Sequence, residues 1–595
     1  MSNHDPLFGL EDEDLKTLEP YLEPVRFAAE SCLFNAGEEG DCCFFIDKGT
    51  VRVELPHPEL DSDGVLGFLE AGSVIGELAL LDRQPRSASA YADSDVECRK
   101  LSTDVLEKLT RDDPRVGITL VSALGQGAAK KLRSANKLLS DMIVSGSDSE
   151  VDELIDQAIE AQKTIADWPE EKIDALLTAL AQAFADKAQE HAELAVRVTR
   201  MGNVQDKTVK NRMASLGVLE SLLGRPASGI VARDQDRLVS EFAAPVGVVF
   251  GMIPVTNPIA TAIFKALICI KSRNALILSF HRTARDVAEE VGPLLQQLLR
   301  EHGAPEHLVQ WVRHRSSRKK TELFMHHDKV SLILATGGAS MVKAAYSSGT
   351  PSLGVGPANA PALICSDADV DHAAASVLLS KSFDNGLICG AEHNLVVVES
   401  IRDAFVRSLR AQGAAVLDEE ESARFTEKAV IADKGIFRRR LIGRDPSYIA
   451  EYASIHRDHP IRLIVVPSEG ISKDNVYARE KMIPALSLFT VEDEQQGMEI
   501  SLQLLQLEGT GHTAIIHTKN DTWVEQFSRL MPASRILVNS PGSHGVVGLT
   551  SGLIPSLTLG CGTFGSNSTT DNVTYTNLLN VKRVAYYMEP KMDLS

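Results

Sequence analysis

The pattern of apolar and polar residues changes character along the chain. In the first 135 residues, short apolar runs are separated by turns that contain glycine. Residues 43–46 and 50–55 are two such runs around Asp47, Lys48 and Gly49, a pattern typical of a β-hairpin. Residues 114–139 then carry apolar side chains at helical spacing. The N-terminal part is therefore predicted to be a β-rich unit that ends in one long helix.

From about residue 150 the pattern predicts helices that alternate with apolar strands. Helices are expected over 150–163 and 170–200, followed by strands at 246–253, 275–278 and 332–335 with helices at 261–270 and 284–302 between them. Such alternation implies parallel strands joined by crossover helices, a doubly wound α/β fold. The polar run Ser145-Gly146-Ser147-Asp148-Ser149 predicts a boundary between the two parts.

Composition narrows the class of protein. A chain of 595 residues suggests three or four domains, and 44% hydrophobic with 24% charged residues is ordinary for a globular protein. A net charge of −20 argues against a nucleic-acid partner. No long apolar run and no basic leader are visible, so neither a membrane span nor a signal peptide is expected. The eight scattered cysteines indicate no metal site and no disulfide framework, which fits the cytoplasm.

A candidate anion site lies in residues 76–89. Arg86 offers a fork of donors for a phosphate, and Glu77 can accept a hydrogen bond from a ribose hydroxyl. These two residues alone also fit a surface loop with an incidental ion pair. The whole stretch, after Gly37-Glu38-Glu39-Gly40-Asp41, resembles the cyclic nucleotide-binding domain family over about residues 5–140. That resemblance implies a jelly-roll β-barrel with a C-terminal helix that regulates the rest of the chain. It also implies cAMP or cGMP bound at Gly76, Glu77, Leu78, Arg86 and Ser87.

Four motifs in the second part carry further chemistry. They are Pro254-Val255-Thr256-Asn257-Pro258, Ala335-Thr336-Gly337-Gly338, residues 343–349 and Phe383-Asp384-Asn385-Gly386-Leu387-Ile388-Cys389. A cysteine thiolate can attack an aldehyde carbonyl, and an asparagine amide can hold the oxyanion that forms. Together the motifs resemble the aldehyde dehydrogenase family, in its CoA-acylating branch, over about residues 150–585. The resemblance implies a Rossmann-type cofactor domain and an α/β catalytic domain.

The resemblance also implies roles for single residues. Cys389, Asn257 and His512 would be catalytic, although His512 fits a core histidine equally well. NAD, or NADP, would be bound by the residues Thr256, Ser279, His281, Gly337, Gly338 and Glu480. Hydrolytic members carry a glutamate base where this chain has Val355, so we expect the acyl group to pass to CoA. Acetaldehyde is the default substrate, with propionaldehyde, succinic semialdehyde and sulfoacetaldehyde as alternatives. Hydrolysis to the free acid and a non-enzymatic nucleotide sensor are the rival functions.

The expected organisation follows from these resemblances. A regulatory domain over 1–140 is followed by a linker over 141–150, an NAD-binding domain over 151–388 and a catalytic domain over 389–570. Residues near 225–245 and the C-terminal segment 571–595, in which residues 574–581 have a strand-like pattern, would form an oligomerisation arm. A homodimer or a larger homo-oligomer is expected, with a filament as one form. The long helix would offer a second contact.

Overall fold

The computed structural model of the chain describes residues 16–54, 65–144, 148–313, 318–431 and 435–589. It divides into two units, residues 1–143 and 144–595. No helix among the described residues is long and apolar enough to cross a membrane.

The first unit is a sandwich of two antiparallel sheets, followed by helices. Its described elements are β1 (Glu23–Phe27), β2 (Cys32–Phe34), β3 (Cys42–Lys48), β4 (Thr50–Glu54), β5 (Val65–Glu70), β6 (Val74–Ile75), α1 (Glu77–Asp82), β7 (Ser89–Ala92), β8 (Val96–Ser102), α2 (Thr103–Asp112) and α3 (Pro114–Val144). The sheets have the orders β1-β8-β3-β6 and β2-β7-β4-β5, and side chains from both fill the space between them. Helices α2 and α3 pack on the other face of the first sheet. The predicted jelly-roll with a C-terminal helix is confirmed.

The predicted hairpin around Gly49 is wrong, although both of its strands exist. Strand β3 pairs with β6 and β8, whereas β4 pairs with β5 and β7 in the other sheet. The chain crosses between sheets at Gly49, whose φ is +92° and where a Cβ would lie 2.2 Å from the carbonyl oxygen of Asp95. Distant strands that bury more apolar surface outcompete the local pairing.

The second unit begins with helices and an arm. These are α4 (Asp148–Ile165), α5 (Glu170–Asp186), α6 (Ala188–Thr199), α7 (Val204–Arg212), α8 (Val218–Leu222), β9 (Gly229–Asp234) and β10 (Val239–Pro245). The single helix expected over 170–200 is two helices, because the backbone leaves helical geometry at Lys187. Most of the expected linker over 141–150 belongs to helices α3 and α4, and residues 145–147 of the polar run lie outside the described residues.

A parallel five-stranded sheet follows, with helices on its faces. Its elements are β11 (Val248–Ile253), α9 (Pro258–Lys271), β12 (Ala275–Phe280), α10 (Arg285–Glu301), β13 (Val309–Trp311), α11 (Arg318–Met325), β14 (Leu332–Thr336), α12 (Ala339–Tyr346) and β15 (Ser352–Val355). The strand order is β13-β12-β11-β14-β15, and strands β11 and β12 as well as α9 are buried along their whole length. The predicted doubly wound α/β fold is confirmed.

A second parallel sheet of seven strands completes the unit. Its elements, with the small hairpin β19–β20, are β16 (Pro361–Ile364), α13 (Val370–Ser382), β17 (Asn394–Val398), α14 (Glu399–Ala411), β18 (Ala414–Val416), α15 (Glu419–Ala429), β19 (Val430–Ile431), β20 (Ile436–Phe437), α16 (Pro446–Tyr452), β21 (Leu463–Pro467), β22 (Ala485–Val491), α17 (Glu494–Leu507), β23 (Gly511–His517), α18 (Asp521–Leu530), β24 (Ala533–Val538) and α19 (Gly542–Val546). The order is β18-β21-β22-β17-β16-β23-β24.

Two expected boundaries move. The second sheet begins with β16, which pairs with β17 and β23. The NAD-binding domain was expected to run to residue 388, but β16 is not part of the five-stranded sheet. In the C-terminal segment, the strand β25 (Leu579–Ala585) begins later than the pattern at 574–581 suggests, after a short helical turn at Tyr575–Leu578. Strand β25 pairs with β10, and β10 pairs with β9, in a separate three-stranded antiparallel sheet.

Candidate functional site

The Cys389 thiol lies at the end of an unusual turn between α13 and β17. Asp384 and Asn385 both have left-handed backbone geometry, with φ of 48° and 56°, and Gly386 follows with φ of 78°. Left-handed conformations strain residues other than glycine, so side-chain contacts must hold this turn in place. Cys389 itself is partly exposed, whereas six of the other seven cysteines are buried.

Asn257 lies beside this turn. It directly precedes α9, yet its side chain does not cap that helix. Instead Asn257 Nδ2 is 3.4 Å from the carbonyl oxygen of Leu387 and 3.3 Å from Thr256 Oγ1. The structure therefore brings the amide of Asn257 and the cysteine loop together, as the sequence predicts. Two neutral contacts of this length are weak, so the amide can turn to a better acceptor.

Two buried lysines that we did not predict hold Asn257 and the cysteine loop. Lys210 Nζ donates to Asn257 Oδ1 at 2.8 Å and to Asp384 Oδ2 at 2.5 Å. Lys207 Nζ donates to the same Asp384 oxygen at 3.0 Å and to the carbonyl oxygen of Thr256 at 2.7 Å. The two lysines stand three residues apart on α7 and so share one face of that helix. This spacing was the sign in the sequence that the two side chains act on the same group.

The surroundings of Cys389 disfavour its thiolate. Burial, the charge of Glu480 and the nearby Cys561 thiol raise the pKa of Cys389 to about 12, while Arg535 and the Gly390 N–H oppose that shift. Burial also raises the pKa of Glu480 to about 7, although Glu480 Oε1 accepts a hydrogen bond from Ala358 N at 3.0 Å. Glu480 thus lies close to Cys389 and to the segment that follows Val355.

Two buried histidines lie near these groups: His393 contacts the backbone of Cys389, and the backbone of His512 accepts from Arg535. His512 Nδ1 is 2.9 Å from Thr513 Oγ1, while Nε2 has no hydrogen-bond partner within the described part of the chain. Burial, and then the charge of Arg535, lowers the pKa of His512 well below its usual value, so the ring is neutral. His393, which we did not predict, accepts from Lys481 N at 2.9 Å through Nδ1 and donates from Nε2 to the carbonyl oxygen of Cys389 at 3.2 Å.

Five of the six predicted dinucleotide residues share one edge of the five-stranded sheet, whereas Glu480 lies between β21 and β22 of the other sheet. Thr256 follows β11, Ser279 and His281 lie at the end of β12, and Gly337-Gly338 follow β14. Because these strands are parallel neighbours, their carboxyl ends meet at the same edge, where open α/β sheets bind nucleotides. A Cβ at Gly338 would contact nothing within 4 Å, so open space lies over its backbone. The residues present therefore fit a dinucleotide.

In the first unit, Arg86 and Gly76 lie together as expected. Arg86 Nη1 donates to the carbonyl oxygen of Gly76 at 3.0 Å and Nη2 to Cys42 Sγ at 3.3 Å, while the guanidinium covers the ring of Phe34 at 4.3 Å. Arg86 is buried, and its Nε has no hydrogen-bond partner among the described residues. A buried arginine without a carboxylate partner suits an anionic ligand.

Glu77 has a partner that we did not predict. Lys131 Nζ, from α3, donates to Glu77 Oε1 at 2.7 Å and to the carbonyl oxygen of Val74 at 2.9 Å. The Glu77 side chain is 5% exposed, whereas that of Lys131 is 42% exposed. Leu78 and Ser87 lie exposed at the surface. The carboxylate proposed for a ribose hydroxyl is therefore in contact with the long helix.

Comparison with known proteins supports both resemblances. The sequence profile of the aldehyde dehydrogenase family matches residues 130–424, and that of the cyclic nucleotide-binding domain matches residues 24–113. The chain is 36% identical to the bifunctional aldehyde-alcohol dehydrogenase AdhE of Escherichia coli over 442 residues, which cover 73% of this chain and 49% of that protein. The chain thus spans about half the length of such bifunctional relatives.

Other relatives match over nearly their whole length. The acetylating succinate-semialdehyde dehydrogenase of Clostridium kluyveri is 32% identical over 437 residues, 73% of this chain and 96% of that protein. The crystal structure of an acetylating aldehyde dehydrogenase from Geobacillus thermoglucosidasius superposes with a TM-score of 0.72 at 38% identity, covering 75% of this chain and 98% of that one. The chain belongs to the aldehyde dehydrogenase family and carries an N-terminal cyclic nucleotide-binding domain.

Proposed function

We propose that the chain is an acylating aldehyde dehydrogenase that converts an aldehyde, CoA and NAD into an acyl-CoA and NADH. The single observation that carries the proposal is the Asn257 amide beside the loop of the partly exposed Cys389. Val355, the last residue of β15, supports transfer to CoA because no carboxylate stands there to activate water. The names of the relatives, AdhE and the acetylating succinate-semialdehyde dehydrogenase, agree with this class of reaction.

The proposed reaction begins at Cys389. Its thiolate adds to the aldehyde carbon, and the carbonyl oxygen becomes an oxyanion that Asn257 Nδ2 can meet. NAD held at the sheet edge by Thr256, Ser279 and Gly337-Gly338 would supply the hydride acceptor. Loss of hydride from that carbon would leave an acyl thioester on Cys389. The neutral His512, through its unpaired Nε2, would accept the proton of the CoA thiol as the CoA sulfur attacks the thioester. Cys389 then leaves as a thiolate, and the enzyme returns to its starting state once His512 has released its proton to water.

The test measures NADH formation with and without CoA. The wild type should form NADH and acyl-CoA only when CoA is present, and Cys389→Ala should form neither. Cys561→Ala is the matched control, because Cys561 is a second thiol close to the first and should not carry the acyl group. Free acid formed without CoA would contradict acylation and support hydrolysis. A wild type inactive with every aldehyde would support the sensor function.

We propose acetaldehyde as the first substrate. Succinic semialdehyde, propionaldehyde and sulfoacetaldehyde are the alternatives, and relatives named for each of these aldehydes match this chain. A panel of the four aldehydes, compared by kcat/KM with either NAD or NADP, ranks the candidates directly.

We also propose that cAMP or cGMP binds the first unit and controls the activity. Support comes from buried Arg86, which has no carboxylate partner in its contacts with Gly76 and Cys42. A ligand at 100 times its Kd should stabilise the protein by about 2.7 kcal/mol, measured as a shift in Tm. Arg86→Ala should lose that shift. Arg52→Ala, which replaces a half-buried arginine on strand β4, should keep it. An unchanged shift in Arg86→Ala would contradict the site. Activity measured with and without the ligand then tests the coupling between binding and catalysis.

A homodimer or larger homo-oligomer in the cytoplasm completes the proposal. The three-stranded sheet leaves apolar side chains exposed, with Ile230, Phe242 and Val584 each about two-fifths exposed. Such a patch is typical of an interface between copies. All eight cysteines are free thiols, which supports a reducing compartment. Light scattering of the intact protein and of Phe242→Lys tests the interface, and an unchanged mass of the variant would contradict it.

A further inference from the structure

A buried cluster of charges links three separate segments around Cys389. Lys207 and Lys210 come from α7, Thr256 and Asn257 from the loop after β11, and Asp384 from the turn before Cys389. The side chains of the two lysines and of Asp384 are at most 4% exposed. Asp384 Oδ1 also accepts from Asn203 N at 3.0 Å, and Asp384 N donates to Asp206 Oδ2 at 2.7 Å.

Each charge in this cluster has a defined partner. Asp384 Oδ2 accepts a hydrogen bond from each of the two ammonium groups. Lys207 also donates to the carbonyl oxygen of Thr256, and Lys210 to Asn257 Oδ1. Gly202 packs so closely that a Cβ there would lie 1.9 Å from Asp384 Oδ1. Two ammonium groups thus share one carboxylate, and a shift of any member leaves a buried charge without its partner. The cluster therefore opposes movement of the left-handed turn that leads to Cys389.

The contact with Asn257 determines which way the amide points. Burial lowers the pKa of Lys210 to about 8, so below that pH the side chain is an ammonium. An ammonium only donates, so the atom 2.8 Å from Lys210 Nζ must then be the amide oxygen. The NH₂ group must then point to the other side, towards the carbonyl oxygen of Leu387 in the cysteine loop. A cation on the amide oxygen also polarises the amide and strengthens its N–H donors. Lys207 has no such contact, because it reaches a backbone carbonyl instead.

We propose that Lys210 is a positioning residue for the oxyanion site. Lys210 holds the Asn257 amide with its donors towards the Cys389 loop, and through Asp384 it holds that loop in register with the amide. This role rests on the proposed reaction of Cys389, and Lys210 acts through its contacts with Asn257 and Asp384.

The test uses an ester that acylates Cys389 without NAD, CoA or the correct aldehyde. The Cys389 thiolate attacks the carbonyl of p-nitrophenyl acetate, p-nitrophenolate leaves, and an acetyl thioester stays on the enzyme. The tetrahedral step needs the oxyanion donors, so the burst of p-nitrophenolate reports on Asn257. A second reagent, iodoacetamide, alkylates the same thiol by displacement of iodide and creates no carbonyl oxyanion. Comparing the two reagents separates the oxyanion site from the thiol itself.

We expect Lys210→Met to lower the burst rate at saturating ester about 10- to 100-fold, because a misplaced hydrogen-bond donor slows a reaction by about that factor. The ester concentration that gives half of the maximal rate should not change. Asn257→Ala should cost at least about 100-fold, and Lys210→Met should add little in that background. Alkylation should change less than about two-fold, since the cost lies in the oxyanion step. Lys210→Arg, which keeps the cation, should restore part of the burst. Lys265→Met is the control, because Lys265 is a buried lysine whose hydrogen bonds within the described residues go to the carbonyl oxygens of Met252 and Leu334.

Several results would overturn the role. If the double variant lost the product of the two single-variant factors in burst rate, Lys210 and Asn257 would act independently. If the alkylation rate of Lys210→Met falls by the same factor as its burst rate, the substitution acts on the Cys389 loop and not on the oxyanion site. If Lys210→Met does not fold, Lys210→Gln carries the same comparison with its uncharged donor. A normal Cys389-dependent burst in a protein that forms no acyl-CoA would contradict the proposed reaction and leave the positioning role standing.

Discussion

The acidity of the Cys389 thiol gives the sharpest prediction. Burial first, and then the charge of Glu480, raises the pKa of Cys389 from 9.0 to about 12, and Arg535 only partly opposes this. At about pH 8, a thiol with that pKa holds about 1,000-fold less thiolate than one with a pKa of 9. Since only the thiolate reacts, alkylation should be slow, and its rate should rise about ten-fold with each pH unit.

The assay follows alkylation of Cys389 by iodoacetamide through the mass of its peptide, with glutathione as the reference thiol. We expect no plateau in the rate up to about pH 10, the region in which an ordinary thiol is already fully ionised. A plateau below about pH 9 would refute the reasoning, because it would mean that the site favours the thiolate.

Substitution of Glu480 tests how much its charge raises the pKa of Cys389. Burial raises the pKa of Glu480 to about 7, so Glu480 is charged above that pH and neutral below it. Glu480→Gln removes a negative charge beside the thiol and should speed alkylation at about pH 8 but not at about pH 5. Glu392→Gln is the control, because burial raises the pKa of Glu392 to about 7 as well, yet Glu480 and not Glu392 is the carboxylate that raises the pKa of Cys389. Equal acceleration in both variants would contradict a direct effect of Glu480.

Three further predictions concern the described contacts. Lys131→Met should tighten binding of cAMP or cGMP several-fold in calorimetry, because it frees the buried Glu77 carboxylate; weaker binding would contradict this. Gly202→Ala should lower the free energy of unfolding by a few kcal/mol in urea titrations, because its φ is +76° and its Cβ would meet Asp384. The folded-state pKa of Glu392 is raised from 4.5 to about 7, so its stabilising effect is present below pH 4.5 and lost as pH rises through about 7. The Tm of the wild type should therefore fall more than that of Glu392→Gln over this range, and parallel curves would contradict it.

The sequence predicted what depends on local pattern. Apolar strands between amphipathic helices implied the doubly wound sheets, because burial on both faces leaves a continuous apolar run. The motifs of Asn257 and Cys389 were visible for the same reason, since each is one short segment. The structure adds that their strands and turns bring the two segments together.

What the sequence did not predict depends on distant partners. Lys210 lies in Val204–Arg212, a polar helix that resembles a solvated surface, and its partner Asp384 is 174 residues away. Strands β3 and β4 have the local form of a hairpin, but their partners come from elsewhere in the unit. The change of sheet at Pro361 likewise follows from pairing with β17 and β23. No short window of sequence contains such pairings.

The pairing of β10 with β25 has a consequence for synthesis of the chain. Pro245 and Asn580, which meet across this pair, are 335 residues apart. At about 5–20 residues per second, translation leaves β10 without this neighbour for roughly 20–70 s. During that interval one edge of β10, with exposed Phe242, is open to any extended strand, including β25 of a neighbouring nascent chain. Slow translation and crowded polysomes should therefore favour chains that exchange their last strand.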